Sequence, residues 1–405
     1  MSLIVQKYGG SSVGNVDRIK HVARRVVATA EQGHQVCVVV SAMGDTTDEL
    51  LELADQVTQR PHPREMDMLL SAGERISMAL LAMAINDLGR AAVSFTGSQA
   101  GILTDSSHTK AKIVGVNATR VRDALEAGRV AIVAGFQGVS IEDDVTTLGR
   151  GGSDATAVAL AAGLTADVGE IYTDVEGVFT ADPRIVPGAR KLPFVSFEEM
   201  LELASSGAKV LMARSVEFAR NHGVPIHVRS TFSENEGTWV DKEDGRMEQP
   251  IISGIAHDVS EAKVTVSGVP DRPGIAARVF SALAAANVNV DMIVQNVSHS
   301  GLTDISFTVP KGDLARANEI LAEVAREIEA SGVSTDTDVA KLSLVGAGMK
   351  THPGVAADMF QTLADAGINI EIISTSPIRI SCVVRAGQVE DAVRTLHERF
   401  GLDKG

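Results

Sequence analysis

Two cysteines in 405 residues, Cys37 and Cys382, stand far apart in sequence and give no basis for a disulfide framework. Cys37 lies in an apolar run and is expected to pack as a small hydrophobe. Neither cysteine nor histidine occurs at metal-ligand spacing, so no protein-held metal site is expected. His62, His108, His222 and His257 are scattered through polar surroundings, which suggests surface positions. No run of 18 or more apolar residues is present to span a membrane. The N-terminus enters a strand directly, without a charged-then-apolar leader. A cytoplasmic location is expected. Positive charge is short too: a net charge of −15 speaks against nucleic-acid binding, which needs a basic face. An anionic ligand would have to be captured by local cations against that field.

What is present is 44% hydrophobic and 22% charged, the composition of a globular protein, and its length calls for two or three domains. Up to about residue 230, short β-branched runs alternate with helical stretches. Strands are expected over 3–8, 35–41, 92–95, 130–136, 170–173 and 226–229. Amphipathic helices are expected over 16–29, 64–88 and 197–222. Such alternation implies a largely parallel sheet with helices on both faces and ligands at the carboxyl ends of its strands. Residues 231–250 are polar and turn-rich and are expected to link two domains. Beyond them lies a repeat: Pro273-Gly274-Ile275-Ala276-Ala277 matches Pro353-Gly354-Val355-Ala356-Ala357, and Asn289-Val290-Asp291 matches Asn369-Ile370-Glu371. Each copy reads strand, Pro-Gly turn, helix, Asn-bearing turn, strand, which suggests a duplicated βαββαβ module. Such a pair serves either for dimerisation alone or for sensing small molecules.

Several segments carry chemistry. Thr146-Thr147-Leu148-Gly149-Arg150-Gly151-Gly152-Ser153-Asp154 places glycines, an arginine, a hydroxyl and an acid just before an Ala-rich helix. Glycines admit a ligand close to the backbone, helix N-termini attract anions, and arginine forks onto carboxylate or phosphate. Lys7-Tyr8-Gly9-Gly10-Ser11-Ser12 follows the first strand and can cradle phosphate, or be a plain βα turn; no Gly-Lys-Ser/Thr of a Walker loop occurs. Ser41–Asp48 offers hydroxyls to a carboxylate or caps the next helix. Glu74, inside an apolar helical stretch, suits an ammonium group or an ion pair with Arg75 or another neighbour. Residues 172–184 end in Asp182-Pro183-Arg184, fit for a nucleotide pocket or an ordinary Asx turn. Lys209 adds another cation, or a solvated one.

Jointly, segments 7–13, 41–48, 73–75, 135–138, 146–154 and 172–187 stand in the order and spacing of the aspartokinases, which the chain resembles over essentially its whole length. The C-terminal repeats resemble that family's paired ACT domains. One departure is Leu211-Met212-Ala213-Arg214-Ser215, where many members carry His-Pro-Arg. The resemblance implies an α/β fold: an N-terminal α/β/α sandwich over 1–230 with a mainly parallel sheet, then tandem ferredoxin-like ACT domains. The first ACT unit would occupy 264–340, and the second would combine 251–263 with 341–405.

The implied reaction moves the γ-phosphoryl group of ATP to the β-carboxylate of L-aspartate. It yields 4-phospho-L-aspartate, at the first step of lysine, threonine and methionine biosynthesis. Mg2+ would be held mainly through the nucleotide phosphates. A carboxylate nucleophile is already ionised at neutral pH, so the absence of an obvious catalytic histidine is consistent. The resemblance assigns Lys7, aided by Gly9 and Gly10, to the transferring phosphoryl group, and Asp154 to orienting Lys7 or the metal–phosphate shell. Arg150 would hold the substrate α-carboxylate, Glu74 its ammonium, and Thr47 and Ser153, beside Gly152, the β-carboxylate. Ser41, Thr173, Asp174, Arg184 and Lys209 would line the nucleotide site.

Lysine, threonine or both are the implied effectors. The family's ACT units pair across a sheet edge, and the effector would sit where the Pro-Gly turn of one meets the Asn-bearing strand of its partner. The candidates are Asp271, Gly274, Ile275, Ala276, Gln295, His352, Val355, Asn369 and Ile370. The assembly implied is a homodimer, or an α2β2 form whose small subunit starts near Met247; a plain linker methionine is the other reading. No dehydrogenase domain is expected after the repeats. Two other functions remain: a related kinase acting on glutamate, acetylglutamate or UMP, and a sensor whose kinase domain has lost activity. Those kinases lack this combination of segments, and the intact Lys7, Arg150 and Asp154 speak against lost activity.

Overall fold

The structure, a computed structural model, describes residues 2–242, 251–296 and 301–404, which divide into two compact units. The first unit begins with β1 (Leu3–Tyr8), α1 (Val16–Glu31), β2 (Gln35–Val40), α2 (Thr46–Val57), α3 (Pro63–Asp87) and β3 (Ala92–Phe95). Next come β4 (Ile102–Thr104), β5 (Ile113–Val116), α4 (Thr119–Glu126), β6 (Val130–Ala134), β7 (Gln137–Ser140), β8 (Val145–Thr147) and α5 (Gly152–Leu164). It closes with β9 (Val168–Thr173), β10 (Phe194–Ser196), α6 (Phe197–Ser205), α7 (Ala213–His222), β11 (Ile226–Ser230) and β12 (Thr238–Asp241).

Eight strands form one sheet in the order β10-β12-β11-β9-β1-β2-β6-β3, parallel except at the β11–β12 pair. The runs of β2 and β6 are almost wholly buried, as strands covered by helices on both faces must be. The mainly parallel α/β sandwich expected from the alternation is therefore present. Helix α1 turns a stripe of Ile19, Val22, Ala23 and Val26 inward, at spacings of three and four. Helix α5, rich in alanine, is buried nearly all round. Both cysteines are free and buried, and burial pushes their thiols up to about 12.

Some elements differ from expectation. The helix expected over 197–222 is two, because Gly207, at φ +111°, turns the chain where other residues would be strained. Residues 238–241, expected as linker, pair with β11 as β12, with Val240 buried. A second sheet, β5-β4-β7-β8, is built of strands of three or four residues, too short to show as alternation. Helix α3 is long and apolar enough to cross a membrane by length and composition, although no continuous apolar run exists in the sequence. Half of its apolar stretch is buried, packed on α1, β3, β6 and β8.

The second unit also contains Phe179–Arg190 and Ser205–Ala208, so the first is not one contiguous stretch. Its elements are β13 (Gly254–Asp258), β14 (Glu261–Pro270), α8 (Ile275–Ala285), β15 (Asp291–Gln295), β16 (Leu302–Pro310), α9 (Leu314–Glu327) and β17 (Gly332–Asp336). Then follow β18 (Val339–Val345), α10 (Val355–Asp365), β19 (Ile372–Ser376), β20 (Arg379–Arg385) and α11 (Val389–Arg399). Two antiparallel sheets result, β15-β16-β14-β17 and β13-β18-β20-β19. The first is a contiguous βαββαβ module. The second takes its outer strand, β13, from upstream of the first module, where β13 pairs antiparallel with β18 as β17 does with β14.

Lys341 on β18 is 2% exposed in its side chain, and its ammonium lies 2.9 Å from both Asp291 Oδ2 and the Ser205 carbonyl. Burial works against ionisation of Asp291, but the Lys341 charge and hydrogen bond outweigh it and hold the carboxyl below its usual range. That contribution is present above the unfolded carboxyl pKa of about 4 and fades as pH falls through the lowered folded value. Lys341→Ala should therefore lower stability by about 2 kcal/mol at pH 7, discounted for the partial exposure of Asp291. The deficit should shrink below about pH 4. Urea unfolding at pH 7 and pH 3 checks this; a deficit independent of pH would contradict it.

Candidate active site

Strand β1 lies inside the large sheet, between β2 and β9, and Lys7 sits in register with Val39 and Ile171. The Lys7 ammonium reaches Asp154 Oδ1 of α5 at 2.6 Å, with both side chains about nine-tenths buried. The turn that follows is held against the next βα turn: the Gly44 N–H donates to the Gly10 carbonyl at 3.1 Å. A Cβ on Gly10 would come 3.1 Å from the Ala42 carbonyl oxygen. A Cβ on Gly9 would stand 3.4 Å from Lys7 Nζ, so the missing side chain leaves room beside the ammonium. Glycines that clear space next to a desolvated cation suit the phosphates of a nucleotide.

The 146–154 segment wraps from β8 into α5. Gly149 and Gly151 adopt φ of +74° and +71°, which an L side chain resists. Arg150 projects between them, exposed, and its guanidinium has no partner among the described residues. Helix α5 starts without a side-chain cap, and the Ser153 and Asp154 amides find no acceptor among the described residues. Free amides at a helix N-terminus form an anion site.

Glu74 lies mid-way along α3 and is 3% exposed. Its Oε1 accepts the Ala42 N–H at 3.2 Å, while Oε2 is buried with no hydrogen-bond partner. Burial raises its carboxyl to about 7, against which the backbone hydrogen bonds act only in part. No ion pair with Arg75 forms among the described residues. Thr47 sits half-buried in the first turn of α2, whose Asp45 makes no side-chain cap. Ser41 donates its N–H to the Tyr8 carbonyl at 3.1 Å, directly beside the Lys7 strand.

Other expected residues fall as follows. Thr173 ends β9 next to β1 and donates its hydroxyl to Asp174 Oδ1 at 3.0 Å. Lys209 is exposed in the turn after α6. Arg184 belongs to the second unit, where Asp182 accepts its N–H and guanidinium in an Asx turn. In that unit Gly274 and Gly354 take φ of +96° and +110° as N-caps of α8 and α10, so the two Pro-Gly turns share one geometry. Ile275, Ala276 and Val355 open those helices; Asp271 lies on the exposed turn before α8, and Gln295 ends β15. The His352 ring lies 2.8 Å from the Gly348 carbonyl oxygen, exposed Asn369 and half-buried Ile370 precede β19, and Met247 is outside the described residues.

His108, expected on the surface, instead contacts fully buried Asp67 through Nδ1 at 2.6 Å. Asp67 Oδ1 also accepts the Thr147 hydroxyl at 2.5 Å and the Thr109 N–H at 3.0 Å. Sequence reading missed this group, yet its signal was the one that marked Glu74. Asp67 is an acid in the same apolar helix, seven residues earlier and on the same face. Arg214 was also missed as a contact: it donates to the Leu148 and Ala111 carbonyls at 2.8 and 2.9 Å.

Comparison with known proteins gives consistent findings. A model described as the amino acid kinase family matches residues 2–230, and one described as the ACT domain matches 264–324 and 342–400. An aspartokinase of Mycolicibacterium smegmatis is 60% identical over 407 residues, covering 99% of this chain and 97% of that protein. E. coli aspartokinase III in complex with aspartate and ADP (R-state) shares the fold, with a TM-score of 0.86 at 24% identity over 98% of this chain and 99% of that one. The same enzyme in complex with lysine and aspartate (T-state) gives a TM-score of 0.74 at 25% identity, again over 98% and 99%.

Removing one partner of the Lys7–Asp154 pair would strand the other charge away from water. Lys7→Met should destabilise this unit by about 3 kcal/mol, and Lys7→Met with Asp154→Leu should recover most of that. Urea titrations of the two variants check the coupling. Equal losses in single and double variants would show that the charges do not depend on each other.

Proposed function

The chain belongs to the aspartokinases of the amino acid kinase family, ATP-dependent enzymes with a carboxyl acceptor, and on that premise we propose how its residues divide the work. The acceptor is the β-carboxylate of L-aspartate and the product 4-phospho-L-aspartate, the entry to lysine, threonine and methionine biosynthesis, made in the cytoplasm. Two groups without partners among the described residues support this reading: buried Glu74 Oε2 and the exposed Arg150 guanidinium. An amino acid supplies the complements of both, an ammonium and a carboxylate.

Phosphoryl transfer asks mainly for positioning and for neutralising charge on the transferring oxygens. Lys7 sets a cation beside the space left at Gly9, Gly10 lets the turn pack closely on residues 42–44, and Asp154 fixes the direction of Lys7 at 2.6 Å. Mg2+ would enter on the nucleotide phosphates and offset their charge. Among the described residues no cluster of three metal-binding side chains exists, and Asp154 is the carboxylate suited to face that ion. Ser153, with its free amide, and Thr47 orient the β-carboxylate, which needs no base to attack. Ser41, Thr173, Asp174 and Lys209 line the nucleotide.

Incubation with ATP, Mg2+ and aspartate should release ADP and, with hydroxylamine, give aspartyl hydroxamate; Lys7→Ala and Asp154→Ala should abolish both. Hydroxamate from glutamate in place of aspartate would overturn the substrate assignment. Glu74 adds a pH signature. Its carboxyl, raised to about 7, must ionise to bind an ammonium, so the aspartate KM should fall about tenfold from pH 6 to pH 8. Glu74→Gln should raise KM and flatten that slope. A slope unchanged in the variant would remove Glu74 from the site.

Regulation is proposed at the two Pro-Gly turns, where open space lies over Gly274 and Gly354. E. coli aspartokinase III binds lysine in its T-state, which favours lysine, threonine or both as effectors here. Asp271, Ile275 and Gln295 would contact one effector; His352, Val355 and Asn369 would contact another. The assembly is a homodimer or an α2β2 form with a small subunit. Coupling between effector and aspartate must be reciprocal. Calorimetry of lysine and threonine, singly and together, should give heat that changes when aspartate is present; no heat from either would dismiss the effector sites.

A further inference from the structure

Arg150 has no partner among the described residues, so only its own backbone can aim it. Glycines at positive φ flank it on both sides, and such residues are permissive hinges. Something else must hold the chain that leads into Arg150. The peptide just before it is gripped from two sides. From α7, the Arg214 fork donates through one terminal nitrogen to the Leu148 carbonyl at 2.8 Å and through the other to the Ala111 carbonyl at 2.9 Å. From α3, Asp67 takes the Thr147 hydroxyl, while its other oxygen faces His108 Nδ1. The Ala111 N–H closes the ring by donating to the Thr147 carbonyl at 2.9 Å. The Leu148 N–H adds a bond to the Phe136 carbonyl at 2.8 Å.

We propose that Arg214 is a positioning residue for aspartate binding: with Asp67 opposite, it clamps Thr147 and Leu148 and so aims the Arg150 guanidinium. Segment 211–215 thereby gains a task. The two carbonyls stand in different chain segments, and the planar fork holds its two donating nitrogens at a fixed spacing and direction that a flexible ammonium lacks. Asp67 shares its helix face with Glu74, two turns or about 10 Å away. One rigid helix thus carries the group for the substrate ammonium and steadies the strand that leads to the carboxylate-binding arginine.

This rests on the reading that Arg150 binds the substrate carboxylate, and the experiment separates the two. Steady-state kinetics would be measured for Arg150→Ala, Arg214→Met, Arg214→Lys and the Arg150→Ala/Arg214→Met double variant, each with its thermal midpoint. Arg214→Met should raise the aspartate KM about tenfold or more while the ATP KM changes by less than about twofold. Arg214→Lys should fall between Arg214→Met and the parent chain. The double variant should be no worse than Arg150→Ala alone, because Arg214 acts through Arg150. Additive losses, or ATP and aspartate KM rising together with a lowered midpoint, would make Arg214 merely structural and overturn the proposal. An unchanged aspartate KM in Arg150→Ala would instead overturn the reading beneath it. If Arg214→Met does not fold, Arg214→Lys alone still decides through its two KM values.

Discussion

A single ion pair orders this site. Lys7 stands one residue before the end of a strand enclosed between two parallel neighbours, and Asp154 stands in the first turn of a nearly all-buried helix. Each charge is the other's ion-pair partner, and removing one would leave the other largely desolvated and unpaired. Parallel topology brings them together: strand ends and helix starts converge on one edge of such a sheet. The two glycine turns, the uncapped α5 amides and the exposed Arg150 are all placed by that convergence. The sheet supplies rigidity, and the loops supply the groups.

Much of this was legible in the chain itself. Continuous β-branched runs announced the parallel strands, and the Pro-Gly repeats announced two modules whose turns share a left-handed glycine. The 146–154 segment stood out because glycine, arginine and acid rarely crowd so closely without a ligand. What escaped notice was non-local. The small β5-β4-β7-β8 sheet is made of strands too short for a period to show. Arg214 binds carbonyls more than 60 positions away, and no pattern in sequence reports a bond to a carbonyl. His108 looked solvated because its neighbours are polar, although its partner Asp67 lies on a helix far upstream. Arg184 had two readings, and the structure shows the turn with Asp182.

Helix α3 combines an apolar packing face with two buried acids. Its apolar face packs on α1 and the sheet, which explains a hydropathy fit for a bilayer. Two acids interrupt that face. Asp67 is fully satisfied by hydrogen bonds, whereas Glu74 keeps one oxygen bare and a carboxyl raised to about 7. A satisfied buried acid specifies structure, and an unsatisfied one is held at a cost that a ligand can relieve. Of two carboxylates on one helix face, one is closed by hydrogen bonds and the other has an oxygen without a partner among the described residues.

The chain enters the second unit early at Phe179–Arg190, crosses into it again at Ser205–Ala208, and leaves the first for good only after β12. Ala181 and Val186 of that early excursion are buried in the same core as Leu342, Leu344 and Met359. At the level of the gene, therefore, the unit that carries the ACT repeats has no clean seam. A stop codon between the units would leave Ala181 and Val186 in the N-terminal fragment without the core that buries them. Recombination that exchanges the second unit must carry its two internal segments together with the tail. Such threading ties the inheritance of one unit to that of the other.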